Sequence, residues 1–245
     1  GERMVALSRI TFQATGQVWL SGMRVEPKHR RLGSAGQCLI YSLSYAREHG
    51  ARVVRLGTLH NNTPVHHMAA HAGMERVGSY VYWGADPLDE GPQPTFVTQE
   101  HDAEVRAFLH ASPALAHTHG LYGFDWAWQE LGADQVTHFL TSGGVLAERA
   151  SEGKIVALTM AAHEPCDNVI WVGFSDGQPA AVTRLAKAVR VQASRSGAER
   201  VQVMLPDLAG LRDAFSAAGY GFGDWADELW LFERRFAQHG AGHDG

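Results

Sequence analysis

Residues 25–36 read VEPKHRRLGSAG, and they join a segment that predicts a strand to one that predicts a helix. The closing residues, 33–36, are small, which lets the backbone approach a ligand closely. Amide groups in the first turn of a helix have no intrahelical acceptor and lie at the positive end of the helix dipole. With Arg30 and Arg31 beside those amides, the segment predicts a cradle for phosphate groups. The alternative is a tight strand-to-helix turn that holds no ligand.

The sequence motifs of two common nucleotide-binding sites do not match residues 25–36. A Walker loop ends in Gly-Lys followed by Ser or Thr, whereas Gly36 is followed by Gln37 and Cys38. A dinucleotide fingerprint opens a parallel strand–helix–strand unit, whereas the strand here is the second arm of a predicted hairpin. ATP or GTP hydrolysis and NAD binding are therefore not expected.

The residues around the cradle predict the element order β-β-α-β-α-β. Gly16, in the short polar link between two apolar stretches, predicts an antiparallel hairpin, and Gly50 predicts the end of the first helix. The predicted elements are strands at Met4 to Phe12 and Val18 to Val25, a helix from Ala35, a strand at Val53 to Leu59, a helix at Pro64 to Ala72 and a strand at Tyr80 to Trp83.

The same order of elements recurs later in the chain. Trp19 is echoed by Trp171, and Gly50-Ala51 by Gly197-Ala198. Trp19 precedes Gly50 by 31 residues, but Trp171 precedes Gly197 by only 26, so the second copy lacks five residues where the first carries the cradle. An internal repeat of this length indicates two copies of one structural unit.

We therefore predict two domains with the same α+β fold, each a mixed, mostly antiparallel sheet flanked by helices. The stretch 86–94 is acidic and rich in Pro and Gly, which predicts an inter-domain linker. The first domain then covers 1–85, the second 95–238, and residues 239–245 form a flexible tail.

The second copy carries additional elements before its hairpin, so the first copy is expected to be truncated at its N-terminus. In 95–238 we predict strands at Thr95 to Thr98, Val145 to Glu148, Ile155 to Ala162, Val169 to Phe174, Val201 to Leu205 and Glu228 to Phe232, and helices at Asp102 to Leu109, Trp126 to Leu140, Val182 to Ala193 and Leu208 to Ala218.

With these residues the chain resembles the GNAT superfamily of N-acetyltransferases. That family carries (Arg or Gln)-x-x-Gly-x-(Gly or Ala) between a strand and a helix, and residues 30–35 read Arg-Arg-Leu-Gly-Ser-Ala. Val25-x-Pro27 precedes the motif, as is usual in the family. Downstream, Asn62, Val65 and Gly73 occupy positions of the family's Asn-x-x-Ala-x-x-x-Tyr-x-x-x-Gly-Phe element. The resemblance covers residues 4 to about 83 closely.

The resemblance implies an N-acetyltransferase that moves an acetyl group from acetyl-CoA to a primary amine of a small-molecule or peptide acceptor. It implies that the loop holds the pyrophosphate, that Met23 to Val25 pair with pantetheine and the acetyl carbonyl, and that Asn62 contacts pantetheine. The implied cofactor-binding residues are Met23, Arg24, Val25, Arg30, Arg31, Leu32, Gly33, Ser34, Ala35, Gly36 and Asn62.

The chain departs from the family where the catalytic groups are expected. Ala69 stands where many relatives have a Tyr that protonates the leaving thiolate, and the strand before the cradle offers Ser21 but no carboxylate as general base. No catalytic residue is assigned. Tyr80, Tyr82 and His71 are candidates, for which packing or surface roles are the alternative. These departures also permit a non-catalytic acyl-CoA sensor or scaffold, or an interaction module without cofactor.

Other chemistry-bearing residues predict no metal site. His67 and His71 are four residues apart on a predicted helix, but no His-Glu-x-x-His frame or second ligand cluster accompanies them. His117 and His119 are interpreted in the same way. The aromatic residues of 122–128 are interpreted as core, with an acceptor-binding wall as the alternative.

Composition and charge limit which ligands and which cellular location are expected. The 245 residues carry a net charge of −5, with +3 on residues 1–90 and −8 on 91–245, so an anionic ligand is expected in the first part and a nucleic-acid partner is not. Two cysteines and no apolar leader predict a cytoplasmic protein without a membrane segment. An exposed sheet edge in the first domain makes a homodimer a further possibility.

Overall fold

A computed structural model describes residues 3–93, 95–222 and 228–237 of the chain. The strands are β1 Ala6–Phe12, β2 Gln17–Val25, β3 Val53–Leu59, β4 Glu75–Ala85, β5 Leu121–Phe124, β6 Ala127–Glu130, β7 Val145–Arg149, β8 Ile155–Glu164, β9 Val169–Gly177, β10 Arg200–Pro206, β11 Gly221–Phe222 and β12 Glu228–Arg235. The helices are α1 Ser34–Glu48, α2 Thr63–His71, α3 Asp102–His110, α4 Pro113–His117, α5 Ala133–Thr141, α6 Pro179–Ser196 and α7 Ala209–Ala217.

The chain divides into two compact units. Among the described residues, unit 1 comprises 3–77 and 230–237, and unit 2 comprises 78–93, 95–222 and 228–229. The mixed sheet and the flanking helices that the sequence predicts are confirmed. Within the described residues, no helix combines the length and apolar character that crossing a membrane requires.

In unit 1, β1, β2, β3 and β12 lie side by side in that order. β1 and β2 form an antiparallel hairpin, and β3 runs parallel to β2 because α1 returns the chain between them. Apolar side chains of both helices pack against those of the strands. The core of this unit is formed by Val18, Leu20, Leu39, Leu43, Ala46, Ala51, Val54, Leu56, Ala69, Ala72, Met74 and Phe232.

A buried ion pair ties β12 to unit 1. Arg55 of β3 is completely buried, and its Nε donates a hydrogen bond of 2.7 Å to Oε2 of Glu233 on β12. Its Nη1 donates to Oε1 of Gln17 on β2 at 2.6 Å. A buried guanidinium requires such partners, since an unpaired buried charge costs several kcal/mol, about 3–5 in measured cases.

In unit 2, the strand order is β4, β10, β9, β8, β7, and β11 also pairs with β4. β9 and β10 are parallel, whereas β4 is antiparallel to β10 and to β11, and β8 is antiparallel to β7 and to β9. β5 and β6 form a separate two-stranded hairpin. The 18-residue helix α6 contributes eight buried residues to this unit, among them Val182, Leu185 and Val189.

The units divide the chain at positions other than the predicted domain boundaries. Residues 80–85 of β4 pair with β10 in unit 2, and residues 230–235 of β12 belong to unit 1. The strand that closes each predicted copy thus belongs to the unit that contains most of the other copy. The predicted boundaries follow the sequence repeat and stay a prediction.

The predicted linker lies along α6 as far as residue 93. The Leu88 amide donates to the Arg190 carbonyl at 3.1 Å, Arg190 Nε donates to the Asp86 carbonyl at 2.7 Å, and the Ser194 hydroxyl donates to Asp89 Oδ1 at 2.9 Å. Pro94 and the predicted tail 239–245 lie outside the described residues.

Two element predictions are wrong. The predicted helix at Trp126 to Leu140 is β6 followed by α5, because Asp125 and Trp126 have positive φ angles of 45° and 59° and form the turn of a hairpin. The predicted strand at Thr95 to Thr98 is reduced to a single bridge between Phe96 and Leu146, which two backbone hydrogen bonds to β7 flank.

Candidate functional site

A cleft opens in unit 1 where β2 and β3 separate. Their parallel register runs from Gln17 opposite Val53 to Leu20 opposite Leu56 and ends there. Two residues later Gly22 has a φ of +65°, and the pairing of β2 with β1 shifts register close by. This bulge redirects the end of β2, and the resulting first cleft has a volume of about 200 Å³.

The walls of the first cleft combine apolar side chains with hydroxyl and amide groups. The Asn62 side-chain amide donates to the Thr58 hydroxyl at 2.9 Å, and Arg9 Nε donates to the Ser21 hydroxyl at 3.1 Å. Such walls suit a slender chain of methylene and amide groups. The lining residues are Ser8, Leu20, Ser21, Gly22, Met23, Arg24, Leu39, Leu56, Gly57, Thr58, Asn62, Val65 and Met68.

The loop after β2 leaves several backbone amides without a protein acceptor. Arg31 and Gly33 have φ angles of 62° and 82°, and Gly33 adopts its conformation without the penalty that a side chain would bring. Gly33 caps α1, and its carbonyl accepts from the Gln37 amide at 3.0 Å. Within the described part of the chain, no protein acceptor bonds the backbone amides of Gly33 to Gly36, and the first turn of α1 holds no acidic residue.

A second cleft, of about 570 Å³, lies over these amides. No Asp or Glu is among the described residues that line it, whereas three His and two Arg are. Arg30 is positioned by its Nε, which donates to the Val25 carbonyl at 3.2 Å. The lining residues are Val25, His29, Arg30, Arg31, Gly33, Ser34, Ala35, Gly36, Ile40, Pro64, His67, Met68, His71 and Ala72. The arrangement favours anions.

The two clefts are neighbours, since Met68 lines both, and together they are called the groove. Of the cofactor-binding residues that the sequence indicates, Met23, Arg24 and Asn62 line the first cleft, and Val25, Arg30, Arg31 and 33–36 line the second. Leu32 is 67% exposed and lines neither cleft. Their binding roles stay a prediction.

Sequence reasoning did not identify several residues of the groove. Ser8 lies on β1, and Thr58 and Met68 lie on β3 and α2, all outside the loop motif. Thr58 immediately precedes the stretch that leads to Asn62, so its polar side chain at the end of a buried strand was an available signal.

The catalytic candidates are dispersed. Tyr80 and Tyr82 are buried in unit 2, where their rings lie 5.1 Å from that of Trp128 and 4.6 Å from that of Trp126. His71 is exposed and lines the second cleft. Ala69 is completely buried. Among the described residues that line the first cleft, none is Asp, Glu, His, Tyr or Cys.

Unit 2 has a matching separation of strands, but protein fills it. The parallel register of β9 and β10 ends at Val172 opposite Val203. A Cβ atom on Gly173 would lie 3.0 Å from Tyr122 Cδ2 and 3.2 Å from the Gly123 carbonyl oxygen. β5 therefore packs directly on the end of β9, and only about 20 Å³ remains open.

The connection after β9 is also too short for a loop. Gln178 alone separates β9 from α6, whereas eight residues separate β2 from α1. Asp176, near the end of β9, is buried and bonded within unit 2: the Ser112 hydroxyl and the Ala114 amide donate to its Oδ2, the latter at 3.1 Å.

The aromatic residues of 122–128 belong to unit 2. Tyr122 and Trp128 are buried, as the core interpretation predicts. Burial raises the pKa of the Tyr122 phenol to about 12, although the Gln129 side-chain amide donates to its oxygen at 2.6 Å. In the part of the chain that the structure describes, no group of three or more His, Cys, Asp or Glu could hold a metal ion.

Comparisons with known proteins agree with this geometry. Residues 2–74 match the model of the acetyltransferase (GNAT) family. A GCN5-related N-acetyltransferase from Sphaerobacter thermophilus has a similar structure over 94% of this chain and 76% of its own, with 15% identity and a TM-score of 0.63. A tandem GNAT protein from the clavulanic acid biosynthesis pathway is similar over 96% and 80%, with 14% identity and a TM-score of 0.55.

An acetyltransferase of the GNAT family from Colwellia psychrerythraea is similar over 96% of this chain and 82% of its own, with 11% identity and a TM-score of 0.52. No curated protein matches the chain. At these identities the structural likeness concerns the fold, which is that of GNAT acetyltransferases.

Proposed function

We propose that the protein is an N-acetyltransferase whose unit 1 binds acetyl-CoA and transfers the acetyl group to a primary amine. The observation that carries this proposal is the groove, in which a narrow amphipathic cleft neighbours a cationic cleft at the amino end of α1. Acetyl-CoA has the matching sequence of groups, a thioester, a slender amide chain and a diphosphate. The match of residues 2–74 to the acetyltransferase family supports the same assignment.

In this proposal the diphosphate accepts hydrogen bonds from the amides of 32–36, beside Arg30 and Arg31. Pantetheine lies in the first cleft, near Met23, Arg24 and Asn62. The helix dipole contributes only about 0.3–1 kcal/mol, whereas micromolar affinity requires about 8 kcal/mol, so the amides, the guanidinium groups and the apolar walls must act together.

The transfer reaction requires positioning and a route for protons. The neutral amine attacks the thioester carbonyl carbon, a C–N bond forms, and the C–S bond breaks. The amine loses one proton and the departing thiolate gains one. Because the described walls of the first cleft offer no acid or base of suitable pKa, water carries these protons, and the protein contributes alignment of the two reactants.

We also propose that the chain consists of two copies of the fold, the second without a cofactor site. The repeat in the sequence and the likeness to a tandem GNAT protein support this. Two features of unit 2 explain the missing site: β5 occupies the opening between β9 and β10, and Gln178 replaces the loop.

Substitution of Gly36 tests acetyl-CoA binding without disturbing the fold. A Cβ atom on Gly36 meets no atom within 4 Å, and an acidic residue in the first turn of a helix is favourable for the helix. We expect Gly36→Glu to keep the melting temperature of the wild type and to lose acetyl-CoA affinity by at least tenfold, because the carboxylate repels the diphosphate. Calorimetric titration measures the affinity.

Gly36→Gln is the matched control, since it adds the same bulk without charge. It should weaken binding less than Gly36→Glu does. Absence of acetyl-CoA binding to the wild type, or equal binding to wild type and Gly36→Glu, would contradict the proposed site.

A second candidate function is a non-catalytic acyl-CoA sensor or scaffold. The absence of any carboxylate, imidazole, phenol or thiol among the described residues of the first cleft favours it. Chromatography of free CoA after incubation with acetyl-CoA and a panel of primary amines separates the two functions. An enzyme releases CoA in an amine-dependent manner, and a scaffold binds acetyl-CoA without release. Chromatography is preferable to a thiol reagent because Cys166 is exposed and would react.

A further inference from the structure

Two histidines of α2 face the second cleft opposite the loop. His67 and His71 are one helical turn apart, so they lie on the same side of α2. Both are exposed, and both line the second cleft. In the described residues neither imidazole bonds to a protein group. They have no evident part in the packing of unit 1.

Each wall of the second cleft carries either positive charge or no net charge near this pair, which favours an anion. The loop contributes Arg30 and Arg31, and α1 contributes Ile40 and small residues without charge. His29 also lines the cleft, but its Nδ1 lies 2.8 Å from Glu26 Oε2, so Glu26 compensates a proton on that ring. No carboxylate among the described lining residues compensates His67 or His71.

The cleft therefore has two separate sets of donors. One set consists of the loop amides with Arg30 and Arg31, and the other consists of the two imidazoles of α2, which line the same cleft of about 570 Å³. A ligand with two separate anionic groups matches this division. CoA is such a ligand, because it carries a phosphomonoester on the ribose in addition to its diphosphate.

We propose that His67 and His71 bind the 3′-phosphate of CoA and make its recognition dependent on pH. The inference rests on the proposed function, which assigns the diphosphate to the loop. An imidazole gains its proton near neutral pH, and a phosphomonoester is close to dianionic there, so the two form charge-assisted hydrogen bonds. Arginine side chains keep their charge over this range, whereas an imidazole carries charge only in its protonated form.

Dephospho-CoA, which lacks only the 3′-phosphate, is the appropriate probe. Calorimetric titration of the full chain at constant ionic strength should give an affinity for CoA at pH 6.5 about tenfold above that for dephospho-CoA. At pH 8 the preference should be smaller. In the double variant His67→Gln/His71→Gln, the CoA affinity should fall to that of dephospho-CoA, and the dephospho-CoA affinity should be unchanged.

Two further variants make the test specific. His67→Lys/His71→Lys keeps a positive charge throughout this range and should restore the preference for CoA while removing its pH dependence. His117→Gln, which removes an exposed imidazole of unit 2, should change nothing.

Each other outcome overturns the inference in a recognisable way. If the wild type binds both ligands equally, or if the Gln variant weakens both equally, the pair does not recognise the 3′-phosphate, although the proposed function stands. If the wild type binds neither ligand, the proposed function fails together with the inference.

Discussion

At the scale of single residues, glycines in the two units border very different amounts of open space. Gly36 borders open space, whereas Gly173 borders Tyr122 and the Gly123 backbone. The same residue type therefore has opposite roles. In unit 1 it keeps a groove accessible, and in unit 2 it lets one strand approach another.

The contact at Gly173 predicts a loss of stability on substitution. Gly173→Ala would place a methyl group 3.0 Å from the Tyr122 ring, and overpacking of this kind costs about 1–3 kcal/mol. In a chain of this length each kcal/mol lowers the melting temperature by about 2–4 °C, which calorimetry detects.

Gly210→Ala is the control for the previous prediction. A Cβ atom on Gly210 meets nothing within 4 Å, and the residue lies in α7, so the melting temperature should stay the same or rise slightly. A melting temperature unchanged by Gly173→Ala would show that β5 does not fill the opening in unit 2.

At the scale of elements, a salt bridge joins α3 to the end of β7 in unit 2. Arg149 Nη1 and Nη2 donate to the two carboxylate oxygens of Glu104 at 2.6 and 2.8 Å. Hydrogen bonding from Arg149, assisted by its charge, lowers the pKa of the Glu104 carboxyl. Stability from this pair is therefore fully present above the unfolded carboxyl pKa and is lost as the pH falls through the lowered, folded value.

This pH dependence of the stability predicts how Glu104→Gln behaves. At pH 7 the variant should melt at a lower temperature than the wild type. Its free energy of unfolding should be lower by less than about 1 kcal/mol, because both side chains are partly exposed. The difference should shrink towards acid pH, as the wild-type carboxyl takes up its proton at its lowered pKa. Thermal unfolding measured from pH 7 to pH 3 checks this.

Glu199→Gln provides the comparison, since Glu199 is exposed and makes no ion pair among the described residues of unit 2. Its difference from the wild type should not vary with pH in this way. A Glu104→Gln difference that grows towards acid pH would contradict the assigned role of the salt bridge.

The elements themselves were predictable where one signal dominated. Leu39, Leu43 and Ala46 recur at helical spacing and are buried in α1, and β3 matches its predicted bounds. The failure at Trp126 to Leu140 has a physical cause. Trp126 and Trp128 suit a helix or a strand. Asp125 and Trp126 form the turn with positive φ angles, which are uncommon for residues other than glycine, so the sequence did not mark the turn.

The groove could be predicted only in part. The loop motif is contiguous in sequence, so Arg30 to Gly36 stood out. Ser8 and Met68 come to the groove through the packing of β1 and α2, and periodicity does not specify which elements become neighbours. For the same reason, the sequence predicted a strand near β12 but not the unit to which it belongs.

At the scale of the whole molecule, the division of the chain into two units predicts that residues 1–93 cannot fold alone. Residues 230–237 supply Phe232 to the core of unit 1 and Glu233 to the buried Arg55. A fragment of residues 1–93 lacks both. We expect it to show no cooperative thermal transition by circular dichroism, because its buried guanidinium has lost its carboxylate.

The full chain with a protease site inserted near residue 92 is the control. After cleavage it retains residues 230–237 and should still melt cooperatively. Cooperative melting of the isolated fragment would show that β12 is dispensable for unit 1.

The packing of β5 against Gly173 has a consequence for titration behaviour. If unit 1 binds CoA as proposed, the filled opening of unit 2 predicts a stoichiometry of one equivalent of CoA per polypeptide. A monomer with one such site should give a hyperbolic saturation curve with a Hill coefficient of one.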